Sequence, residues 1–295
     1  MSANPSTPAL EPVTGVARAL QAGSGPVQPT LFTTDFSLRD RVALVTGANG
    51  GLGLESALAF IEAGARAVYC LDIAPTPSEE WLKVKDYVSR MEGKAGEGRL
   101  EYISTDVSDQ EGMWKIGKMI GDKEGRFDVC VAGAGIGGPE HDCLEVKGED
   151  TQKIIDVNLN GVVYTAQAAG QQMARFGNGG SIIAIASLTG YIAIPNMRIL
   201  PYHLSKSAVI QMCRNFACEL APKGIRVNSI SPAFIKTKIL EKMPPEAEAA
   251  LANMNPMKRF GKPHELRGAV AWLASDASSY CTGSDIFVTG GHHAW

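Results

Sequence analysis

The chain contains no long hydrophobic run, no paired cysteine motif and no strong excess of charge. Its 295 residues include no apolar stretch of about 18 residues, the length that a membrane-spanning helix needs. The net charge of −3 offers no basic surface for nucleic acid, and the six cysteines form no C-x-x-C pair. We therefore expect a cytoplasmic protein with reduced core thiols that binds neither membranes nor nucleic acid.

The ends of the chain also lack recognisable sorting signals. The N-terminal segment has Arg18 as its one basic residue, unlike a secretory signal, and the final His-His-Ala-Trp is no peroxisomal tripeptide. Residues 1–35 are rich in Pro, Ser, Ala, Gly and Thr, which predicts a flexible extension with a short helix around Val13–Gln21. We expect one folded domain over residues 36–295, although the length alone also allows two smaller domains.

Beyond residue 36, short apolar segments alternate with helical patterns. Continuous apolar segments are typical of strands that are buried on both faces, and the alternation predicts an α/β fold with three layers around a doubly wound parallel sheet. Seven strands are predicted, at residues 42–46, 67–71, 100–104, 127–131, 182–186, 225–230 and 285–289. Residues 234–262 mix charges with Met, Pro and Leu, which predicts a substrate lid with one or two short helices, and a further helix is predicted over 263–275.

A glycine-rich turn follows the first predicted strand. Gly47, Gly51 and Gly53 stand in a T-G-x-x-x-G-x-G pattern, and a helix is predicted over 52–62. Glycines at such positions let the main chain approach a pyrophosphate, and the helix N-terminus supplies unpaired N–H groups and a partial positive charge. Because the turn joins a strand to a helix, we expect it to bind a dinucleotide.

Two acidic residues stand at the ends of the next strands. Asp72 lies 19 residues beyond Gly53, near the spacing of a carboxylate that accepts from the adenosine ribose of NAD and repels the 2′-phosphate of NADP. No Lys or Arg follows it directly, so we expect NAD, with NADP as the alternative; Asp72 could also be a solvated strand end. Asp106 either meets the adenine amino group or caps the helix predicted from residue 110.

Ser187, Tyr202 and Lys206 form a candidate catalytic group. Ser187 follows the fifth predicted strand, and Pro201 opens a helix on which Tyr202 and Lys206 lie one turn apart. An ammonium near a phenol favours the phenolate, so Tyr202 can act as acid or base while Ser187 hydrogen-bonds the substrate oxygen. A Tyr-x-x-x-Lys pair also arises by chance, so this assignment needs support from the rest of the chain.

Asn158 lies inside a helix predicted over 149–176, where an amide gains little from helix propensity. Either it faces solvent or it has a buried partner, and its apolar neighbours favour burial. His141 with Cys143, and the pair His292-His293, fit no common zinc spacing, so we expect no metal site. The terminal histidines and Trp295 are expected to pack at a subunit interface or near a cleft.

These segments together resemble the short-chain dehydrogenase/reductase family, in its single-domain branch with a Rossmann fold. The resemblance implies an oxidoreductase that moves a hydride between a nicotinamide cofactor and a secondary alcohol or ketone. It also implies a homotetramer or homodimer in which the helices at 149–176 and 201–221 form a shared bundle. The matching segments run in the family's order over residues 36–295: TGANGGLG at 46–53, Asp72, DV at 106–107, AGAG at 132–135, NLNG at 158–161, Ser187, YHLSK at 202–206, RVNSISPAF at 226–234 and GSDIFVTGG at 283–291.

The resemblance also implies roles for individual residues. Tyr202 is the acid/base and Ser187 the oxyanion partner, while Lys206 binds the nicotinamide ribose and lowers the pKa of the tyrosine. Asn158 holds a water that continues the proton relay. The implied cofactor contacts are Gly47, Asn49, Gly50, Gly51, Leu52, Gly53, Asp72, Ile73, Asp106, Val107, Ala132, Gly133, Ala134, Tyr202, Lys206, Pro232, Ala233, Ile235 and Thr237.

The chain departs from the family pattern at three places. The usual Asn-Asn-Ala-Gly is here Ala132-Gly-Ala-Gly135, and the usual Pro-Gly after the sixth strand is Pro232-Ala233. Ser187 and Tyr202 are 15 residues apart, which is two more than is common. The two extra residues fall around Asn196–Leu200, on the rim of the substrate cleft, so the family pattern does not predict the shape of that cleft.

The sequence leaves two classes of substrate as alternatives. Apolar residues of the lid and rim, such as Phe234, Ile239 and Met197, favour a cyclic or bulky alcohol, or else pack the lid on the body or subunits on each other. Arg198 and His203 suit polar groups instead, and with the overall resemblance they make a sugar alcohol or ketose of the arabinitol, xylulose or sorbose type the alternative substrate. A catalytically silent dinucleotide-binding regulator is the alternative of another class, and the intact catalytic group argues against it.

Overall fold

The described residues form a central sheet of seven parallel strands, as predicted. This computed structural model describes residues 14–91, 98–237, 240 and 243–294. The strands are β1 Val42–Thr46, β2 Ala67–Asp72, β3 Arg99–Ser104, β4 Val129–Ala132, β5 Gly180–Ile185, β6 Ile225–Pro232 and β7 Asp285–Val288. They lie in the order β3-β2-β1-β4-β5-β6-β7.

Strand β1 lies at the point where the direction of the sheet order reverses. Val42 pairs with Ala67 of β2 on one side, and Ala43 pairs with Val129 of β4 on the other. Every residue of β1 is buried, because helices cover both faces of the sheet. In this architecture the crevice between the carboxyl ends of β1 and β4 is where dinucleotides bind.

Helices pack on both faces of the sheet and complete the predicted three layers. Phe60, Trp81 and Leu273 belong to the core on one face, while Met113 and Val209 belong to the core on the other. The helices of the described segments are α1 Gly15–Gln21, α2 Gly51–Glu62, α3 Glu79–Ser89, α4 Gln110–Glu124, α5 Gly148–Ile155, α6 Gly161–Phe176, α7 Leu200–Leu220, α8 Pro245–Ala252 and α9 Arg267–Ala274.

Two predicted helices are divided in the structure. A π-helical turn over Asp156–Asn160 separates α5 from α6, so the continuous helix predicted over 149–176 is wrong in detail. Such a turn inserts one residue into a helix and often marks a functional position. The helix predicted over 263–275 is likewise a 3₁₀ turn at Pro263–Leu266 that leads into α9.

The N-terminal segment contributes little to this core. Helix α1 overlaps the helix predicted around Val13–Gln21, and none of its residues is buried. Val13 itself lies outside the described residues, as do residues 1–12. Among the described helices, none combines the length and the hydropathy that crossing a membrane requires.

The six cysteines are free thiols in different environments. Cys70, Cys130 and Cys213 are buried, whereas Cys143 and Cys218 are exposed, and the sixth is half-buried. The expectation of core positions is therefore wrong for the two exposed thiols.

Candidate active site

The glycine turn after β1 lies directly against the loop that follows β4. Gly47 has a φ of +68°, and a Cβ atom there would lie 2.9 Å from the Ala134 Cα atom. A Cβ atom on Gly53 would overlap the Gly47 carbonyl oxygen, so only glycine fits where α2 begins. Gly51 has a φ of +55°, and a Cβ atom there would lie 3.5 Å from the methyl group of Thr237. The turn, Ala134 and Thr237 therefore surround one crevice.

The N-terminus of α2 faces this turn without a side-chain cap. Gly50 is the N-cap residue and offers no side-chain acceptor to the first-turn N–H groups of Gly51, Leu52 and Gly53. Such uncapped N–H groups suit a phosphate.

Thr46, the last residue of β1, hydrogen-bonds the main chain that follows β4. Its Oγ1 atom accepts hydrogen bonds from the N–H groups of Gly133 at 3.1 Å and Ala134 at 3.2 Å. Because these contacts use the main chain, the Ala132-Gly-Ala134 sequence keeps the local geometry although it departs from the family pattern. Thr46 was not among the predicted site residues, although a hydroxyl at the end of a buried strand is the signal that marks it.

Asp72 lies at the end of β2, beside the same turn. Its Oδ2 atom accepts from the main-chain N–H of Asn49 at 3.1 Å, and the Asn49 side chain accepts from the Ser78 N–H at 2.6 Å. Ile73, the next residue, is 70% exposed. Asp72 is thus half-buried and hydrogen-bonded to the glycine turn, and its contact with the adenosine ribose stays a prediction.

Asp106 does not cap the helix that follows it. Asp109 is the N-cap residue of α4 and accepts from the Gly112 N–H at 3.0 Å. Asp106 is exposed and accepts from the N–H of Ser108 at 2.9 Å and from its hydroxyl at 2.7 Å. The capping alternative is therefore wrong, and the adenine contact of Asp106 stays a prediction. Val107, its neighbour, is buried.

Ser187 begins a tight turn after β5. It is the N-cap of a 3₁₀ turn over Leu188–Gly190, and its Oγ atom accepts from the Thr189 N–H at 3.2 Å and from the Thr189 hydroxyl at 2.9 Å. The Ser187 side chain also hydrogen-bonds the Tyr202 phenol and lowers its pKa. The structure therefore brings Ser187 and Tyr202 together despite the two extra residues between them.

Tyr202 and Lys206 share one face of α7. The Lys206 Nζ atom lies 5.7 Å from the centroid of the Tyr202 ring and donates to the Ile185 carbonyl oxygen at 2.7 Å. Burial lowers the pKa of Lys206 to about 8, so most of it is still an ammonium at neutral pH.

Burial shifts the pKa of the Tyr202 phenol in the opposite direction. Burial raises the pKa of Tyr202, and this effect exceeds the lowering by Ser187. Lys206 donates its hydrogen bond to Ile185 rather than to the phenol oxygen, and a lowering of the Tyr202 pKa by Lys206 stays a prediction. Tyr202 is consequently a neutral phenol at pH 7.

Asn158 is fully buried in the π-helical turn. Its Oδ1 atom accepts from the Ile136 N–H at 2.8 Å, and its Nδ2 atom donates to the Ile136 carbonyl at 2.9 Å and to the Ser205 hydroxyl oxygen at 3.3 Å. The buried-partner alternative is therefore correct and the solvent-facing one is wrong. The water that the resemblance implies at Asn158 stays a prediction.

Two further residues connect Asn158 to the catalytic helix. A Cβ atom on Gly135 would lie 3.3 Å from Asn158 Oδ1 and 3.7 Å from Lys206 Nζ, so these polar groups meet at the same stretch of main chain. The Ser205 hydroxyl donates to the Tyr202 carbonyl at 2.7 Å. Sequence reasoning missed Ser205, whose signal was a polar residue between Tyr202 and Lys206 on a core helix.

The chain beyond β6 runs along the same edge of the sheet. Pro232 ends the strand, the Ala233 N–H donates to the Val288 carbonyl at 3.2 Å, and Ile235 is buried and pairs with Gly261. Thr237 follows and lies beside the glycine turn, as described above.

The predicted lid contains helix α8, and its two ends lie against each other. Phe234 stacks on Phe260, which also belongs to the lid, with ring centroids 5.2 Å apart. Lys236 and Glu248 of α8 form an ion pair at 2.5 Å. Ile239 lies outside the described residues, together with positions 238, 241 and 242.

Polar residues of the rim differ in exposure. Arg198 is exposed, whereas His203 is half-buried beside Tyr202, with ring centroids 6.5 Å apart. Burial lowers the pKa of His203, and its Nε2 atom has no hydrogen-bond partner among the described residues. Asn196 has a φ of +62°, so the extra residues of the rim form a tight turn.

The terminal histidines pack within the chain. The His292 ring lies 6.1 Å from that of Phe234, and the His293 ring stacks on Phe287 at 4.2 Å. His292 therefore lies next to the lid, while Trp295 lies outside the described residues. In the part of the chain that the structure describes, no three His, Cys, Asp or Glu side chains cluster as metal ligands would.

The crevice fits a nicotinamide dinucleotide. Glycine positions that a Cβ atom would fill, an uncapped helix N-terminus and a carboxylate lie together at the ends of β1 and β2. Ser187, Tyr202 and Lys206 lie at the carboxyl end of β5, two strands along the same edge from β1.

Comparisons with known proteins show the family to which the chain belongs. The family model described as "Enoyl-(Acyl carrier protein) reductase" matches residues 47–293. A sorbose reductase of Schizosaccharomyces pombe is 38% identical over 264 residues, which cover 88% of this chain and 99% of the relative. A protein of Yarrowia lipolytica named "Probable NADP-dependent mannitol dehydrogenase" is 34% identical over 260 residues, 87% of this chain and 89% of that protein.

A solved structure is similar to this chain in fold and in sequence. The crystal structure of a short-chain type dehydrogenase/reductase from Mycobacterium marinum has a TM-score of 0.81 and 36% sequence identity. The match covers 88% of this chain and 98% of the other chain. The chain therefore belongs to the short-chain dehydrogenase/reductase family.

Proposed function

We propose that the chain uses NAD to interconvert a secondary alcohol and a ketone, with Tyr202 as the acid/base. The observation that carries this proposal is the convergence of Ser187, Tyr202, Lys206 and Asn158 beside the glycine turn. A bound nicotinamide supplies the acceptor of the hydride in oxidation and its donor in reduction.

The residues around the substrate oxygen divide the proton chemistry between them. Because burial raises the pKa of Tyr202, the phenol carries its proton at neutral pH and can donate it to a ketone oxygen. In the oxidation direction Tyr202 must first lose that proton, a step that the ammonium of Lys206 favours. Ser187 hydrogen-bonds the phenol in this structure and donates its one proton to the substrate oxygen when a substrate binds.

NAD is the cofactor that Asp72 favours. Its carboxylate is fixed beside the glycine turn by the Asn49 N–H, and such a charge repels the 2′-phosphate of NADP. The two residues that follow, Ile73 and Ala74, offer no positive charge in return. NADP is the alternative, since one relative is named as NADP-dependent.

A sugar alcohol or ketose is the substrate class that we favour. His203, which is half-buried beside Tyr202, and the exposed Arg198 of the rim carry polar groups that suit the hydroxyls of such a substrate. The names of two relatives, a sorbose reductase and a mannitol dehydrogenase, agree with this class. A cyclic or bulky alcohol is the second candidate, since Met197 and Ile199 of the rim are half-buried apolar residues.

We also propose a setting for the enzyme. Residues 1–35 form an extension to a single domain over 36–295, with a lid around 234–262. The protein is a cytoplasmic homotetramer or homodimer, in keeping with its free thiols and its family. A monomer in size-exclusion chromatography with light scattering would contradict the assembly.

A substrate panel tests the function. The full chain is assayed with NAD and with NADP, in both directions, against hexitols, pentitols, their ketoses and cyclic alcohols. We expect turnover with NAD and a polyol or ketose. Tight cofactor binding without turnover of any compound would favour the regulator instead.

A further inference from the structure

The hydroxyl of Thr189 lies beside that of Ser187 in the turn after β5. Both residues are 8% exposed. The Ser187 Oγ atom is 2.9 Å from Thr189 Oγ1 and 3.2 Å from the Thr189 main-chain nitrogen. One residue therefore supplies two hydrogen-bond donors to the Ser187 oxygen.

These two donors settle which way the Ser187 proton points. A serine hydroxyl has two acceptor positions and one proton. Among the described residues, the Thr189 hydroxyl contacts no acceptor other than Ser187 Oγ, so it donates its proton there. With both acceptor positions occupied, the one Ser187 proton is left to donate, to the Tyr202 phenol in this structure and to the substrate oxygen when a substrate binds. Donation to the phenol agrees with the direction in which Ser187 changes the pKa of Tyr202.

The turn that carries Thr189 is fixed against helix α7. The Gly190 N–H donates to the Ser187 carbonyl at 2.9 Å, and the Ser207 hydroxyl donates to the Gly190 carbonyl at 2.7 Å. A Cβ atom on Gly190 would lie 3.1 Å from the Lys206 carbonyl oxygen, so the turn and α7 are in close contact. Thr189 is thus held in place relative to the helix that bears Tyr202.

We propose that Thr189 is a positioning residue that locks Ser187 as a hydrogen-bond donor to the substrate oxygen. This inference rests on the proposed function of Ser187 and Tyr202. Without the Thr189 hydroxyl, the Ser187 O–H group can rotate and accept a hydrogen bond from Tyr202. That arrangement diverts the tyrosine proton from the substrate, which slows the chemical step without removing a substrate contact.

The isosteric variant Thr189→Val tests this role, because it keeps the main-chain donor and removes only the hydroxyl. We expect kcat to fall about 5- to 10-fold and KM to change less than about 2-fold, as for loss of one orienting hydrogen bond. We also expect the limb of the pH–rate profile for alcohol oxidation that reports Tyr202 to move upward by about half a unit. Lys206 and His203 are the other titratable groups against Tyr202, and neither is a hydrogen-bond partner of Thr189.

Two further variants separate positioning from a structural role. Thr189→Ser restores the hydroxyl and should recover most of the lost rate and the wild-type pH profile. Thr189→Val should add nothing in a Ser187→Ala background, since the group that it orients is then absent. Wild-type rates and pH profile in Thr189→Val, or an equal loss with and without Ser187, would overturn the inference. A fully active Ser187→Ala would instead overturn the proposed function of Ser187.

Discussion

Replacing Lys206 with methionine should change how the stability of the protein depends on pH. Lys206 is 4% exposed and holds its ammonium against the Ile185 carbonyl, and burial lowers its pKa from the ordinary 10.5 to about 8. An unfolded chain therefore binds a proton at this site over a pH range in which the folded chain does not. Methionine has a similar length and no charge, so it removes this difference while filling the same space.

The sign and size of the effect follow from the two pKa values. Because the unfolded state binds more protons between pH 8 and 10.5, the stability contributed by Lys206 is lowest below pH 8 and rises through this window. The cost of holding the buried ammonium is about 3 kcal/mol at pH 7, and about 2 kcal/mol of it is relieved by pH 9.5. Loss of the donor to Ile185 costs the variant about 1–3 kcal/mol, which offsets the gain at pH 7 but is independent of pH.

The assay is denaturant unfolding of wild type and Lys206→Met at pH values from 7 to 9.5. Wild type should gain about 2 kcal/mol relative to the variant over this range. Lys115→Met, at an exposed position of α4, is the matched control, and its free energy of unfolding should stay parallel to that of wild type. Parallel curves for wild type and Lys206→Met would refute the reasoning, because they would show that Lys206 is not a desolvated ammonium.

Three further changes test the cofactor crevice and the buried amide. Gly53→Ala should lower the free energy of unfolding by about 1–3 kcal/mol and weaken NAD binding in calorimetry, because its Cβ atom overlaps the Gly47 carbonyl. The control Gly268→Ala, at a helix position with open space, should be neutral or stabilising. Equal effects of the two variants would contradict the account. Asp72→Asn should raise the ratio of kcat/KM for NADP to that for NAD by about 5- to 100-fold, and an unchanged ratio would remove Asp72 from the cofactor site. Asn158→Leu should cost about 2–5 kcal/mol in denaturant unfolding because Ile136 loses both partners, whereas a loss below 1 kcal/mol would contradict the buried network.

The sequence predicted the sheet well because its strands are apolar runs with polar or glycine residues at their ends. Strand β1 was predicted at the residues where it lies, Val42–Thr46. The π-helical turn was not predicted, because one inserted residue barely alters a helical pattern. Its Asn158 contacts Ile136, 22 residues away, and such a contact leaves no trace in the local sequence. Asp106 and Asp109 both suit a helix start, and only the folded chain shows which one caps α4.

In the candidate site, too, residue spacing predicted some contacts and left out those that only folding creates. The spacing of Tyr202 and Lys206 on one helix face follows from helix geometry, so their proximity was predictable. Thr189 and Ser205 are single hydroxyls that act on groups brought near by folding, and no spacing rule marks them. Thr46 opens the glycine pattern, but its contacts with Gly133 and Ala134 arise only on folding. The direction of the Tyr202 pKa depends on how deeply the phenol is buried, which motif spacing does not encode.

The role of Tyr202 is tested most directly by the variant Tyr202→Phe, which keeps the ring and removes the phenol oxygen. Wild type and variant are compared for alcohol-dependent reduction of NAD, and the affinity for NAD is measured separately by calorimetry. The account predicts a fall in kcat of at least about 100-fold with NAD affinity unchanged within about 3-fold, because the acid/base is lost and the crevice is intact. A variant that binds NAD normally and oxidises the alcohol at close to the wild-type rate would contradict it.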